Sequence, residues 1–139
     1  MSLYVLDTDI LTLFEEGQPI VLQRVQAHSP SELAITVLSV EEQLSGWYTR
    51  VRKAKDNAQL ALAYSRLAKA VRFLARLQIL DYGEAAMQRW EQLRKAKIKI
   101  GRMDLRIAAV VLDHKEILVS RNLVDFQKVP GLQIEDWSV

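Results

Sequence analysis

Four carboxylates stand beside the expected ends of apolar strands and near the starts of helices: Asp7 in YVLDTD, Glu42 in TVLSVEEQLSG, Asp104 in IGRMDLRIAA and Asp125 in LVSRNLVDF. Acids crowd together only at a cost, because each negative charge raises the pKa of the next, and a hard divalent cation is the usual remedy. The chemistry such a set supports is metal-assisted phosphodiester hydrolysis. A divalent ion keeps the acids ionised, polarises a phosphoryl oxygen and activates a water for in-line attack; two ions clamp the attacking and leaving oxygens. No histidine, cysteine or serine nucleophile is required.

Each acid also has a purely structural reading. Asp7 suits the N-cap of a first helix. Ser39-x-x-Glu42 fits a capping box, with Glu42 bonded back to the Ser39 amide. Asp104 complements the dipole in a first helical turn, and Asp125 is unremarkable in a polar turn. The coincidence separates the two readings: all four fall at the same expected edge of one sheet.

The elements that must position them read as follows. Leu3 to Leu6 is a short buried strand running into a helix over Ile10 to Glu15, closed by Gly17. Pro19 opens a second helix to about Ala27, and Leu33 to Val37 is the second strand. A helix beginning at Ser39 and another over Asn57 to Leu77 form a helical hairpin joined near Lys55-Asp56. The apolar positions of the second are Leu60, Ala63, Tyr64, Leu67, Val71 and Leu74. A brief strand over Gln78 to Asp81 precedes a helix over Gly83 to Lys97, with Ala86, Met87, Trp90 and Leu93 as its stripe. Asp104 to His114 is helical, Ile117 to Ser120 a strand, Asn122 to Phe126 a turn and Leu132 to Ile134 a terminal strand. Strands alternating with helices predict an α/β fold with a mainly parallel sheet, in which ligands bind at the C-terminal strand ends.

The chain has 139 residues, half of them apolar and 26% charged, which suits one compact domain over residues 1–139. It has no cysteine, so thiolate sites and disulfides are excluded; oxygen ligands favour Mg²⁺ or Mn²⁺. No apolar run approaches the ~18 residues of a bilayer span, and no basic leader precedes SLYVLD, so a cytoplasmic protein is expected. Net charge is only +2. The cations concentrate in the middle, from RVRKAK at Arg50 to Lys55 through Arg66, Lys69, Arg72, Arg76 and on to Arg102. Such a stretch is either a solvated helix face or a surface for a polyanion.

At this level the chain resembles PIN-domain ribonucleases, specifically the VapC-like toxins of bacterial toxin–antitoxin pairs, over nearly its whole length. YVLDTDIL resembles the family's opening strand and first acid, Asp7, with Thr8 a metal- or water-contacting neighbour and Asp9 where the family often has Asn. TVLSVEEQLSGW resembles the second motif, whose acid precedes glycine by four residues, which selects Glu42. IGRMDLRIAAVVL matches the third and assigns Asp104. LVSRNLVDFQKVPGLQIEDW matches the closing block, with Asp125 as fourth acid, Asn122 a polar partner near the metal, and Ser120 where threonine is commoner. The resemblance implies a PIN-like three-layer fold with the helical hairpin as insertion, and Asp7, Glu42, Asp104 and Asp125 as catalytic and metal-binding residues. It further implies Mg²⁺- or Mn²⁺-dependent endonucleolytic cleavage of RNA, a cognate antitoxin partner, and a homodimer.

Two other classes compete. A catalytically silent PIN-like module binding RNA or protein would lack some of the acids, yet all four are present. A phosphorylation-controlled receiver domain needs an acceptor Asp after a central strand, and none follows LAITV. Among other eye-catching residues, Trp47 beside Gly46 is either a packing residue or a base-stacking aromatic. Trp90 is expected in the core, and Trp137 is expected to cover a sheet edge. His28 and His114 suit helix C-termini. Arg102 and Arg121 either contact phosphate or pair with carboxylates.

Overall fold

The computed structural model describes residues 2–139. Five short strands, β1 (Tyr4–Leu6), β2 (Leu33–Thr36), β3 (Gln78–Leu80), β4 (Ile117–Val119) and β5 (Gln133–Glu135), form one sheet in the order β3-β2-β1-β4-β5. Every pairing is parallel. Seven α-helices connect and cover them: α1 (Thr8–Glu15), α2 (Pro19–Gln26), α3 (Val37–Lys53), α4 (Asn57–Leu74), α5 (Glu84–Lys95), α6 (Arg102–Asp113) and α7 (Leu123–Phe126), with a 3₁₀ turn at Pro30–Glu32.

The alternation of strand side chains divides the core into two halves. Val5, Ala34, Leu80 and Leu118 point to one face, packing with Leu105 and Ile107–Val111 of α6 and with Ala86 and Leu93 of α5. Leu6, Leu33, Ile35 and Val119 point to the other, with Ile10 and Leu11 of α1, Val21 and Val25 of α2 and Leu74 of α4. Because both faces are covered, the strands read as continuous apolar runs. The three-layer α/β architecture expected from the sequence is present, with α3 and α4 as the expected hairpin.

Several boundaries and burials differ from the sequence reading. Helix α3 starts at Val37 rather than Ser39, because Thr36 is the residue whose side chain caps it. Residues expected to form the turn after β4 make the short helix α7, and β5 begins at Gln133 rather than Leu132. Tyr64 and Val71 of α4 and Met87 of α5 are exposed instead of core. Helix α4 carries apolar residues on two faces and buries the one with Ala63, Ala70 and Leu74, whose small alanines let a neighbouring backbone approach. Trp137 is fully buried rather than an edge cover: it packs on Tyr4 and stacks on His28, ring centroids 4.7 Å apart. His28 stands just past the Ala27 C-cap of α2, as expected, and its ring also fills an aromatic cluster, while His114 stands at the C-cap of α6.

Helix α1 ends as expected, with Gly17 at φ +77°. Helix α6 ends in the same way without glycine. Lys115 holds φ +56°, its amide donates to Leu112 O and the Glu116 amide to Val111 O, the paired bonds of a Schellman motif. A lysine in that conformation costs more than glycine does. Lys115→Gly is therefore expected to stabilise the fold by about 0.5–1 kcal/mol after the added unfolded-state entropy is offset. Urea denaturation checks it, and a loss of stability would show that the lysine side chain contributes more than the backbone strain.

Candidate active site

Strand order reverses at β1: the chain moves from β1 through β2 to β3 on one side, then returns to place β4 and β5 on the other. Ligand crevices in open parallel sheets lie outside the strand C-termini at such a switch point. Asp7 follows β1 immediately. Its amide donates to Val119 O of β4 at 3.0 Å, and its Oδ1 accepts from the Ile10 amide at 2.9 Å. It thus caps α1, as the structural reading expected, while also standing buried in the crevice at 5% exposure. Burial, together with the negative charges of Asp9 and Asp104, pushes its pKa up to about 6, although Ser120 and the Ile10 amide hydrogen-bond the carboxylate and pull the other way.

Glu42 reaches the same crevice from α3, two turns past β2. The capping-box reading does not hold: the Ser39 amide donates to Thr36 Oγ1 at 3.2 Å, and Glu42 does not bond back to Ser39. Instead Thr8 Oγ1 donates to Glu42 Oε1 at 2.6 Å and lies 2.9 Å from Ser39 Oγ. A hydroxyl from α1 therefore orients an acid from α3.

Asp104 lies half-buried in the first turn of α6. Among the described residues its carboxylate accepts no hydrogen bond and has no ion-pair partner. Burial raises its pKa, followed by the charges of Glu42, Asp125 and Asp9 in that order. It is the point at which acids from α1, α3 and α7 converge.

Asp125 lies in α7 and is served differently. Asn122 Nδ2 donates to it at 3.1 Å and Lys128 Nζ at 3.3 Å, and these bonds hold its pKa below the ordinary carboxylate value. Ser120 is fully buried and accepts from the Asn122 amide at 3.0 Å, which shapes the turn that presents both residues. Asp9 is half-exposed and paired with Arg121, so of the two readings for Arg121 the carboxylate partner is the one observed. Arg102 is exposed and has no carboxylate partner among the described residues.

Three features escaped the sequence reading. Thr8–Ser39–Glu42 is a hydroxyl–carboxylate chain spanning two helices. Lys128 clamps Asp125, a contact that i,i+3 spacing through α7 makes accessible. A cavity of about 640 Å³ opens beside the acids, lined at one end by Thr8, Thr12 and Glu42 and at the other by Trp47, Arg50, Arg66 and Lys69. The donors facing Asp104 are all carboxylates, and no protein cation pairs with Asp7, Glu42 or Asp104 among the described residues. That donor set fits a hard divalent ion in charge and in atom type. Among the described residues, however, no three acidic or histidine side chains already stand in metal-ligating proximity. The carboxylates are nevertheless near enough for Asp104 to feel Glu42, Asp125 and Asp9, and for Asp7 to feel Asp9 and Asp104.

The chain is similar to known proteins over its whole length. The chain is 27% identical over 142 aligned positions to a tRNA(fMet)-specific endonuclease VapC of Salmonella typhimurium, with 99% of each chain covered. It is 29% identical to ribonuclease VapC1 of Haemophilus influenzae, with 98% of each covered. Among solved structures it matches the DNA-bound VapBC complex of Salmonella typhimurium with TM-score 0.80 at 26% identity, covering 99% of both chains. The chain is thus similar to VapC ribonucleases over its whole length and shares the fold of the VapBC toxins. The VapBC-1 structure from nontypeable Haemophilus influenzae superposes with TM-score 0.77 at 25% identity and 99% coverage. No protein-family model matches this VapC-like chain.

A carboxyl whose folded pKa is raised opposes folding once it ionises. For Asp7 the stability is fully present below the unfolded value near 3.8 and is lost as pH rises through about 6. The loss approaches about 3 kcal/mol above pH 7. Asp7→Asn keeps an acceptor for the Ile10 amide and removes the charge. In the presence of EDTA, the variant is expected to gain stability over the parent between pH 4.5 and 7.5, by about 2–3 kcal/mol. Chemical denaturation at the two pH values checks this, and a difference that does not change with pH would contradict it.

Proposed function

We propose that this VapC-like chain is a divalent-metal-dependent endoribonuclease and the toxin half of a toxin–antitoxin pair. The observation that carries the reading is Asp104: a half-buried carboxylate without a hydrogen-bond donor among the described residues, facing three further acids. A structural acid in a first helical turn needs none of that surrounding charge. Asp7, Glu42, Asp104 and Asp125 are the residues that would hold Mg²⁺ or Mn²⁺. When bound, the ion supplies charge neutralisation, polarisation of a phosphoryl oxygen and activation of a water.

The chain's own side chains do the positioning. Thr8 fixes the carboxylate of Glu42, the Ser120 hydroxyl and the Ile10 amide fix that of Asp7, and Asn122 with Lys128 fix that of Asp125. Cysteine is absent, His28 is stacked on Trp137, His114 lies ~15 Å along α6 from Asp104, and the hydroxyls near the acids are engaged, Thr8 with Glu42 and Ser39, and Ser120 with Asp7. Cleavage by a water held between the acids and an RNA phosphate fits this inventory.

The relatives' names support the substrate and partner. One is a tRNA-specific endonuclease, others are ribonucleases, and the matching solved structures are VapBC complexes. On that basis RNA is the substrate and a VapB-like antitoxin the inhibitor; a homodimer is the assembly that the family resemblance implies. Tyr64 and Val71, seven residues apart on one face of α4, are about half exposed, an apolar strip of the kind protein partners cover. No helix is long and apolar enough to cross a membrane among the described residues.

The test is RNA cleavage by antitoxin-free protein with Mg²⁺ or Mn²⁺, with EDTA, and with Asp104→Asn. Metal-dependent cleavage that EDTA abolishes is expected, with Asp104→Asn reduced about 100-fold or more. Full activity in saturating chelator would overturn the metal dependence. Absence of cleavage by a folded protein under either ion would replace the enzyme with a silent RNA- or protein-binding module.

A further inference from the structure

The 640 Å³ cavity does not stop at the acids. It runs along α3 to a second cavity of about 240 Å³, and the two share Trp47, Arg50 and Arg66 in their linings. The near end is the carboxylate site, with Thr8 and Glu42. Glu15 and Glu16 line the same cavity from the other end of α1, where the charge of Lys69 acts on Glu15. The far cavity contains Trp47, Arg50, Lys53 and Arg66 but no acid. One groove therefore leads from a negative reaction site to a positive, aromatic far end.

Helical spacing creates this arrangement. Glu42, Gly46, Arg50 and Lys53 recur at three- and four-residue intervals on one side of α3, with Trp47 adjoining. Trp47 lies ~8 Å along the helix axis from Glu42 and Lys53 ~16 Å. The Arg50 guanidinium carbon sits over the Trp47 ring, 4.4 Å from its centroid. Arg50, Lys53 and Arg66 have no carboxylate partner among the described residues. Three uncompensated cations around a partly buried indole are an unusual expenditure of charge for a helix that only needs solubility. Gly46, at the groove wall, leaves open space above α3 where a side chain would stand.

We propose that Trp47 and Arg50 form a nucleobase-stacking subsite for single-stranded RNA, with Arg66 holding the adjoining phosphate, one or more nucleotides from the cleaved bond. The inference rests on the endoribonuclease reading of the carboxylate site and adds where the strand leaves it. Bases stack on aromatic rings and on guanidinium planes, and that stacking tolerates many sequences because every base has a π-face. A phosphate between Arg66 and Lys53 meets only positive charge. An acidic protein segment would find the same cations, but it would leave the Trp47–Arg50 platform without a planar partner. The subsite makes Trp47 a positioning residue: it holds the strand while the acids act on a phosphate further along.

The experiment measures binding of a short fluorescent single-stranded RNA in excess EDTA, where cleavage is suppressed, and then cleavage with Mn²⁺. Trp47→Ala is expected to weaken binding about 5- to 100-fold, and Trp47→Phe to restore most of it. In cleavage, Trp47→Ala is expected to raise KM while kcat changes little, the signature of lost uniform binding. Arg66→Ala is expected to lower the slope of log affinity against log salt by about 0.7. Thermal melts of each variant separate a lost contact from a lost fold. Wild-type binding and KM in a well-folded Trp47→Ala protein would overturn the subsite while leaving the ribonuclease intact. So would a Trp47→Ala protein that loses affinity only for an antitoxin. Absence of metal-dependent cleavage by the parent would instead remove the ribonuclease reading itself.

Discussion

Repulsion among carboxylates at the strand C-termini is the constraint around which this molecule is arranged. Asp104 sits half-buried with no donor to its oxygens among the described residues, and Glu42, Asp125 and Asp9 all push its proton affinity up. Asp7 is more deeply buried and is pushed to about 6. A fold optimised for stability alone would dilute these charges or insert a cation among them. Instead the available cations are placed one step away: Arg121 on Asp9 and Lys128 on Asp125. The periphery of the cluster is neutralised and its centre is not, so the field is strongest where a divalent ion would sit. That uncompensated centre opposes folding by a few kcal/mol, a substantial part of the ~5–15 kcal/mol by which a domain is stable. The two fully covered faces of the sheet are what make it tolerable.

The acids are held in place by elements that would exist without them. β1 is a three-residue central strand because Val5 and Leu6 bury on opposite faces, and a strand buried on both sides must end where the first charged residue appears. Asp7 is that residue, and capping α1 fixes its backbone and one of its oxygens together. The N-cap and candidate-ligand readings of Asp7 are therefore one arrangement. Cap geometry aims the carboxylate, and the remaining lone pairs face the crevice. Glu42 illustrates the opposite case. Its local sequence suggests a cap, but Thr36 precedes Ser39 as a better-placed N-cap, and the acid is released to Thr8.

What could be read from the sequence follows the range of the interactions concerned. The strands, the hairpin and the four acids were legible because apolar runs and three- to four-residue spacing are local. The exposed side of α4 was not: Tyr64 and Val71 fit a helical stripe as well as Ala63 and Ala70 do, and only packing chooses between them. The end of α6 was legible only from Asp113 onward being polar, since Lys115 supplies the left-handed residue that glycine usually provides. Arg121 could serve phosphate or carboxylate on sequence grounds. Its pairing with Asp9 spans 112 residues, and no local pattern encodes it. The roles of Trp47 and Trp137 likewise depended on which helix faces a groove and which strand end is covered.

Charge of opposite sign is thus separated along a single helix. Glu42 enters the crevice from the N-terminal half of α3, while Arg50, Arg52 and Lys53 occupy its last turn. The macrodipole favours cations at that C-terminal end, so the basic far end of the groove is compatible with helix stability. The acidic end gains nothing comparable, because Glu42 lies beyond the first turn and its charge adds to that of Asp104. A polyanion entering such a groove is attracted by the cations and repelled by the acids until the acids are neutralised. On the proposed reading, binding of the strand and occupancy by a divalent ion would be coupled in sign, each lowering the electrostatic cost of the other. On the proposed ribonuclease reading the α3–α4 hairpin is part of the reaction surface, since it carries the charge that would bring a phosphate chain to an otherwise repelling site.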